Sequence, residues 1–332
     1  MITTYINSKL RFITAFSALL LLVSACSNES IIPITQPEQR TVAVVTMAKD
    51  GDYWNTVRMG AAAAAKEFNV KVNFVAPDVE NEVQKQVELA DQAIKLGANA
   101  VVLAAIDYMA LGQVVDQASY RQIPVISIDS EVGSTKVKSF VGTNSYMMGR
   151  MAGQKWAELT GEHGNVVIMN FMKEARNAEQ REEGLLDLLR QYPRIQVVDI
   201  LYANSDSNQA YRLTKRILEE GIGGERVDGI ISLNATSSLG VARAVADSKQ
   251  SDRLTVVTMD STPELMSFVQ DGVVEAAVVQ NPFAIGYLGV KYAVEAMRGQ
   301  AVPEREETDI KIIDLDNMFR SENQKLLFPF VK

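Results

Sequence analysis

From residue 41 onward the sequence repeats one rhythm: a short β-branched apolar run, a stretch with apolar residues at helical spacing, then a turn. The runs fall at Thr41–Met47, Lys71–Ala76, Ala100–Ala105, Pro124–Ile128 and Ser139–Gly142. A second series follows at Asn165–Asn170, Gln196–Tyr202, Gly229–Leu233, Leu254–Met259 and Val274–Gln280. Most are apolar on both faces, which predicts parallel strands covered by helices rather than half-exposed antiparallel ones. Between them, Val83, Val87, Ala90 and Ile94 share one helical face that stops at Gly97, and Gly60–Phe68 is rich in alanine. Helical patterns also cover Ser145–Leu159, Glu179–Gln191, Asn208–Glu220, Ser237–Ser248, Pro263–Gln270 and Phe283–Arg298. Repeated strand–helix units specify open, doubly wound parallel sheets. Ten runs fit two α/β lobes of about five strands each. Such sheets bind ligands beyond their strand C-termini, so two facing lobes would enclose a cleft that closes on a hinge.

The N-terminus has a different character. Lys9 and Arg11 are the only charges before residue 26, and they precede the apolar run Phe12–Val23. That run is shorter than the ~20 residues of a membrane-crossing helix. With Val23-Ser24-Ala25-Cys26 behind it, it reads as a secretory signal over residues 1–25 whose end resembles a bacterial lipobox, the alternative being an ordinary signal followed by a buried free cysteine. Cys26, the chain's one cysteine, is the expected lipidation site, and an intrachain disulfide is excluded. Residues 26–40 are polar, contain two prolines and read as a tether. The chain is therefore expected to be exported and lipid-anchored, on the outer face of the cytoplasmic membrane or in the periplasm.

Composition narrows the function classes. The chain has 33 Lys and Arg against 41 Asp and Glu, a net charge of −8, and loss of Lys9 and Arg11 with the signal makes it more negative. There is no basic stripe for nucleic acid. The lone histidine, His163, lies in a Gly-Glu-His-Gly turn, and no nucleophile–base pair or metal-ligand cluster stands out. The run Gly221-Ile-Gly-Gly224 follows a helix, the wrong context for a dinucleotide loop. No enzyme, cofactor or metal site is expected.

Several segments in order carry a family resemblance. They are Asp50-Gly-Asp-Tyr-Trp54, Ile123-Pro-Val-Ile-Ser-Ile-Asp129, Ser139-Phe-Val-Gly-Thr-Asn144, Arg181-Glu-Glu-Gly184, Ser232-Leu-Asn234, Val257-Thr-Met-Asp260 and Val279-Gln-Asn-Pro282. The chain resembles the ribose/galactose type of periplasmic sugar-binding protein of ABC importers, the type I periplasmic binding proteins, from about Thr41 to about Ile310. A transcription regulator of the same fold would need a helix-turn-helix where this chain has its signal and tether. The resemblance implies two lobes, 41–143 plus 281–309 and 144–280 plus 310–332, crossing near Thr143, Gln280 and Asp309. It also implies a monomer that holds a small sugar and presents it to an ABC permease. Presentation to a chemoreceptor or sensor kinase is the alternative reading.

The resemblance further implies a ligand set. Asp129 and Asp260 would accept sugar hydroxyls from the two lobes, each also able to cap a helix. Arg181, expected to open the helix after the sixth run, would donate a fork of N–H bonds, or else make a surface salt bridge with Glu182 or Glu183. Asn234 and Gln280 would pair with hydroxyls, Asn234 being equally suited to capping a helix, and at least one of Tyr53 and Trp54 would pack on the sugar ring, the other being core. Phe171 is a further candidate for the opposite wall. Ser130 stands where ribose-binding members carry arginine, which weakens the case for ribose itself. Asp50 and Asp206 are candidate replacements for neutral contacts. Two carboxylates in the pocket favour a neutral monosaccharide or polyol over a sugar acid or phosphate.

Overall fold

The computed structural model describes residues 39–328. Cys26, the leader over 1–25 and nearly all of the 26–40 tether lie outside the described residues.

Two six-stranded sheets form the framework. In chain order, the first holds β1 (Thr41–Val45), β2 (Lys71–Val75), β3 (Ala100–Leu103), β4 (Val125–Ile128) and β5 (Ser139–Thr143). The second holds β6 (Gly164–Asn170), β7 (Ile195–Tyr202), β8 (Gly229–Ser232), β9 (Thr255–Met259) and β10 (Ala276–Val279). Two late strands complete them: β11 (Arg305–Thr308) joins the first sheet and β12 (Lys311–Ile313) the second. The orders are β11-β5-β4-β3-β1-β2 and β12-β10-β9-β8-β6-β7, so one sheet repeats the topology of the other. Pairing is parallel throughout the first sheet, with Val42 opposite both Val72 and Ala100. In the second sheet only β12 runs antiparallel, against β10.

Burial explains the all-apolar strands. Every residue of β3, β4, β5, β8 and β10 is buried. Along β1, Val42 and Val44 face one apolar cluster while Ala43 and Val45 face another, because successive side chains alternate across a strand. In the first lobe, α1 (Asp52–Phe68) and α9 (Pro282–Met297) pack on one face; α2 (Val83–Lys95) and α3 (Gly112–Tyr120) pack on the other. In the second lobe, α4 (Ser145–Thr160) and α5 (Arg176–Leu189) cover one face. There, α6 (Ser207–Glu220), α7 (Ala235–Ser248) and α8 (Pro263–Gln270) cover the other. A short α10 (Ser321–Leu327) follows β12.

The helix pairs α1–α9 and α4–α5 meet through glycines. A Cβ added at Gly60 would stand 2.0 Å from the Phe283 carbonyl oxygen, and one at Gly286 1.9 Å from that of Val57. In the second lobe, Gly149 faces the Arg181 carbonyl oxygen and Gly184 that of Tyr146, each at 2.0 Å. These contacts are backbone against backbone, so any side chain there would force the helices apart.

Three segments cross between the lobes: after β5, after β10, and between β11 and β12. The Thr143 hydroxyl ties them together. It donates to Gln280 Oε1 at 2.7 Å and lies 3.3 Å from the Thr308 hydroxyl.

The sequence pattern missed α10 and four further features. β11 reads REET and is half exposed at a sheet edge, so it has no apolar run. β12 has only three residues. α3 begins at a glycine and contains adjacent valines, a weak helical signal. α1 starts at Asp52 rather than Gly60, behind Gly51 at φ 111, with no side-chain cap to mark its start.

Candidate functional site

A cavity of about 340 Å³ lies between the C-terminal ends of the two sheets, a volume suited to a small ligand. Asp129 and Asp260 occupy matching places in it. Each follows a strand (β4 or β9), and each backbone N–H still bonds the neighbouring strand: Asp129 to Val141 O at 2.9 Å, Asp260 to Val278 O at 2.8 Å. Each then turns into the left-handed region, at φ 61 and φ 69. Aspartate tolerates that conformation better than most residues, but an isolated case still costs energy. The turn swings both carboxylates across the strand ends, and both are 4% exposed.

The two carboxylates have different surroundings. Asp129 accepts from the Tyr53 hydroxyl and from Asn177 Nδ2, the latter at 3.0 Å across the cleft. Burial pushes its pKa up to about 6, although the Arg181 charge and the Tyr53 hydrogen bond oppose the rise. Asp260 accepts from Gln280 Nε2 at 2.6 Å and from the Ala235 N–H at 3.0 Å, and lies 4.0 Å from Arg181 Nη1. Burial raises it as well, against the Arg181 charge. Arg181, 2% exposed, donates to Leu233 O at 2.7 Å and stacks 5.6 Å from the Phe171 ring centroid. Its Nε is buried without a partner. Asn234 caps α7 through its Oδ1 and lines the cavity.

Tyr53 and Trp54 stand in the first turn of α1, edge to face at 5.1 Å. Trp54 Nε1 donates to Glu80 at 2.6 Å, and Glu80 also bonds Ser205 from the second lobe. Further bridges join the lobes: Tyr108 N to Glu174 O at 3.0 Å and Asn81 Nδ2 to Asn204 O at 3.4 Å. The cleft walls are therefore in contact. Among the described residues no group of His, Cys, Asp and Glu is arranged to hold a metal.

Comparison with known proteins decides the family. A profile described as "Periplasmic binding protein domain" matches residues 42–301. The chain belongs to the periplasmic binding protein family. It is a solute-binding protein, not an enzyme. The D-allose-binding periplasmic protein of Escherichia coli is 25% identical over 82% of this chain and 89% of its own length. The D-apiose import binding protein of Paraburkholderia graminis is 26% identical over 83% and 88%. A carbohydrate transporter solute binding protein from Agrobacterium radiobacter, solved in complex with D-arabinose, superposes with TM-score 0.84 at 28% identity, covering 88% of this chain and 99% of that one. A glucose-galactose binding protein from Geobacillus stearothermophilus gives 0.80 at 27%, covering 85% and 99%.

Within this binding protein the structure gathers Tyr53, Trp54, Asp129, Arg181, Asn234, Asp260 and Gln280 around one cavity, with Phe171 and Asp50 on its lining. Two expected candidates lie elsewhere. Ser130 is fully buried behind the strand end and does not line the cavity. Asp206 caps α6, accepting from the Asn208 and Gln209 N–H groups. Two local expectations also change. Arg181 does not open its helix but sits in the second turn of α5, buried, so the surface salt bridge with Glu182 or Glu183 is absent. Asp260 does not cap the helix at Pro263; Thr262 does, and Asp260 holds the start of α7 instead. The sequence reading missed Asn177, Glu80 and Ser205. Asn177 was accessible in principle, because it precedes Arg181 by four residues and shares its helix face. Glu80 sits in an irregular polar loop after β2, where no periodicity marks it.

Proposed function

We propose that this chain is an extracytoplasmic solute-binding protein that captures a neutral monosaccharide or polyol between its lobes and delivers it to an ABC permease. The convergence of Asp129 and Asp260 from opposite sheets carries this reading. A polyol is a chain of neighbouring donors, and two buried carboxylates placed on either side of one cavity accept from several at once. Relatives named for D-allose and D-apiose, and a fold neighbour holding D-arabinose, support the class of ligand. Buried carboxylates make an anionic sugar unfavourable.

The ligand set is Tyr53, Trp54, Asp129, Arg181, Asn234, Asp260 and Gln280, extended by Phe171 and Asp50. A sugar that touches both lobes binds the closed form better than the open one and shifts the population toward it. The closed shape is the form for the permease to recognise. The working unit is a monomer of two lobes, 41–143 plus 281–309 and 144–280 plus 310–332. We also assign residues 1–25 to a cleaved signal, Cys26 to lipidation and residues 26–40 to a tether. The protein then acts outside the cytoplasm on a membrane anchor.

A thermal-shift screen of neutral sugars and polyols tests the central claim, because a ligand that binds the native state alone raises the melting temperature. Upward shifts with neutral sugars and none with sugar phosphates are expected. A sugar phosphate preferred over every neutral sugar would overturn the reading. Loss of radiolabelled fatty-acid incorporation in Cys26→Ser, with release of the protein from membranes, checks the anchor.

A further inference from the structure

The cavity carries more negative charge than a neutral sugar requires. Asp50, Asp52, Asp78, Glu80, Asp129 and Asp260 all line it, and Arg181 is the only basic side chain on that lining. Arg181 is engaged by Asp260 and the Leu233 carbonyl. Among the described residues no ion pair joins Asp50, Asp52, Asp78, Glu80 or Asp129 to a basic side chain. The partners of Glu80, the Trp54 indole and the Ser205 hydroxyl, are neutral donors.

A second observation is independent of that charge. Asn177 lines the cavity and is 4% exposed; its Nδ2 serves Asp129, but its Oδ1 has no partner. An unmet acceptor in a buried site calls for a donor from the ligand. A hydroxyl offers one hydrogen to donate, whereas an ammonium offers three and a charge. Desolvating an ammonium is costly, and Asp50, Asp52 and Asp78 are exposed, but Asp129 and Asp260 are already buried and Glu80 half-buried, so the cation relieves a cost that the fold carries.

We propose that the cavity binds a sugar or polyol bearing a protonated amine more tightly than the neutral compound of the same skeleton, and that Glu80 sets this preference. The inference rests on the sugar-binding reading above. Glu80 is chosen because it bridges the lobes through Ser205 while holding the Trp54 ring; Asp129, which also bridges them through Asn177, is already assigned to the sugar hydroxyls.

The test is titration calorimetry at neutral pH with D-glucosamine, D-galactosamine, D-mannosamine and D-ribosamine. Each is measured beside its neutral parent and its uncharged N-acetyl derivative. At least one amine should bind about tenfold more tightly than its parent, as a charge-assisted contact allows, and N-acetylation should abolish the gain. Glu80→Gln, which keeps the shape, should bring the ratio of amine to parent affinity down to about that of the N-acetyl derivative, whatever it does to the parent's own affinity. Its unliganded melting temperature shows whether the fold is intact, and Asp78→Asn serves as a second variant if it is not. Neutral sugars that bind with no amine gaining over its parent would overturn this inference alone. Failure of every neutral and amino sugar to bind would overturn the sugar-binding reading and this inference with it.

Discussion

The two walls of the cleft are built from the same topology but different chemistry. The first lobe supplies aromatic rings and acceptors: Tyr53, Trp54, Glu80 and Asp129. The second supplies the cation and the amides: Arg181, Asn177, Asn234 and Gln280, with Asp260 held among them. The second wall is therefore largely neutralised by its own residues. The first carries uncompensated carboxylate and borrows a donor, Asn177, from across the gap. Repeating a fold thus fixes where an aspartate stands, while the neighbouring helix decides how that aspartate is charged.

Arg181→Met tests the self-sufficient wall and should have the largest effect. Removing one partner of a buried pair leaves Asp260 uncompensated, so sugar binding should weaken by about 3–5 kcal/mol, with a lowered melting temperature. Asp129→Asn tests the other wall. Asparagine tolerates the left-handed backbone but loses the charge, so calorimetry should show a smaller loss of about 2 kcal/mol with the fold intact. Equal losses in the two variants would erase the contrast between the walls.

The titration of Asp129 sharpens it further. Its folded pKa is raised to about 6, so the carboxylate is ionised above that pH and protonated below it. Sugar affinity should fall by up to about tenfold from about pH 7 to about pH 5. Unliganded stability should move the opposite way. A raised carboxylate pKa means that the native state holds the proton more tightly than the unfolded chain, so this contribution is full at low pH and lost as pH rises through about 6. Melting curves and binding isotherms over one pH series should therefore slope in opposite directions, and Asp129→Asn should flatten both.

The smallest effect comes from a carboxylate off the cavity lining. Glu275 is pushed up to about 7 by burial, partly relieved by its bond from the Val256 N–H at 2.7 Å. By the same sign, Glu275→Gln should stabilise the protein by on the order of 1 kcal/mol above about pH 7 and leave sugar affinity unchanged. A change in affinity would mean that the second lobe transmits strain from that edge to the site.

The legible part of the protein was the part where burial writes itself into composition. Strands such as β3 and β8 are covered on both faces and read as unbroken apolar runs. Each of the aspartates terminates such a run, and the family resemblance, not the run itself, marked them as hydroxyl acceptors. What escaped was structure held by contacts distant in sequence. β11 has three charged residues out of four and exists because β5 offers it an edge. Glu80 owes its place to Trp54 and Ser205, neither adjacent in the chain. Ser130 and Asp206 show the converse error: adjacency to a site residue in sequence did not bring them to the cavity, because a strand end and a helix start turn neighbouring side chains in different directions.

The glycine crossings give the hinge its leverage. α9 enters the first lobe directly from the crossing after β10 and lies against α1, which presents Tyr53 and Trp54; α4 enters the second lobe from the crossing after β5 and lies against α5, which presents Asn177 and Arg181. Backbones pressed together at these glycines favour each arriving helix and its partner turning as one piece. Rotation at the crossings therefore reaches the gripping residues without slack, as a scissor pivot moves its blades.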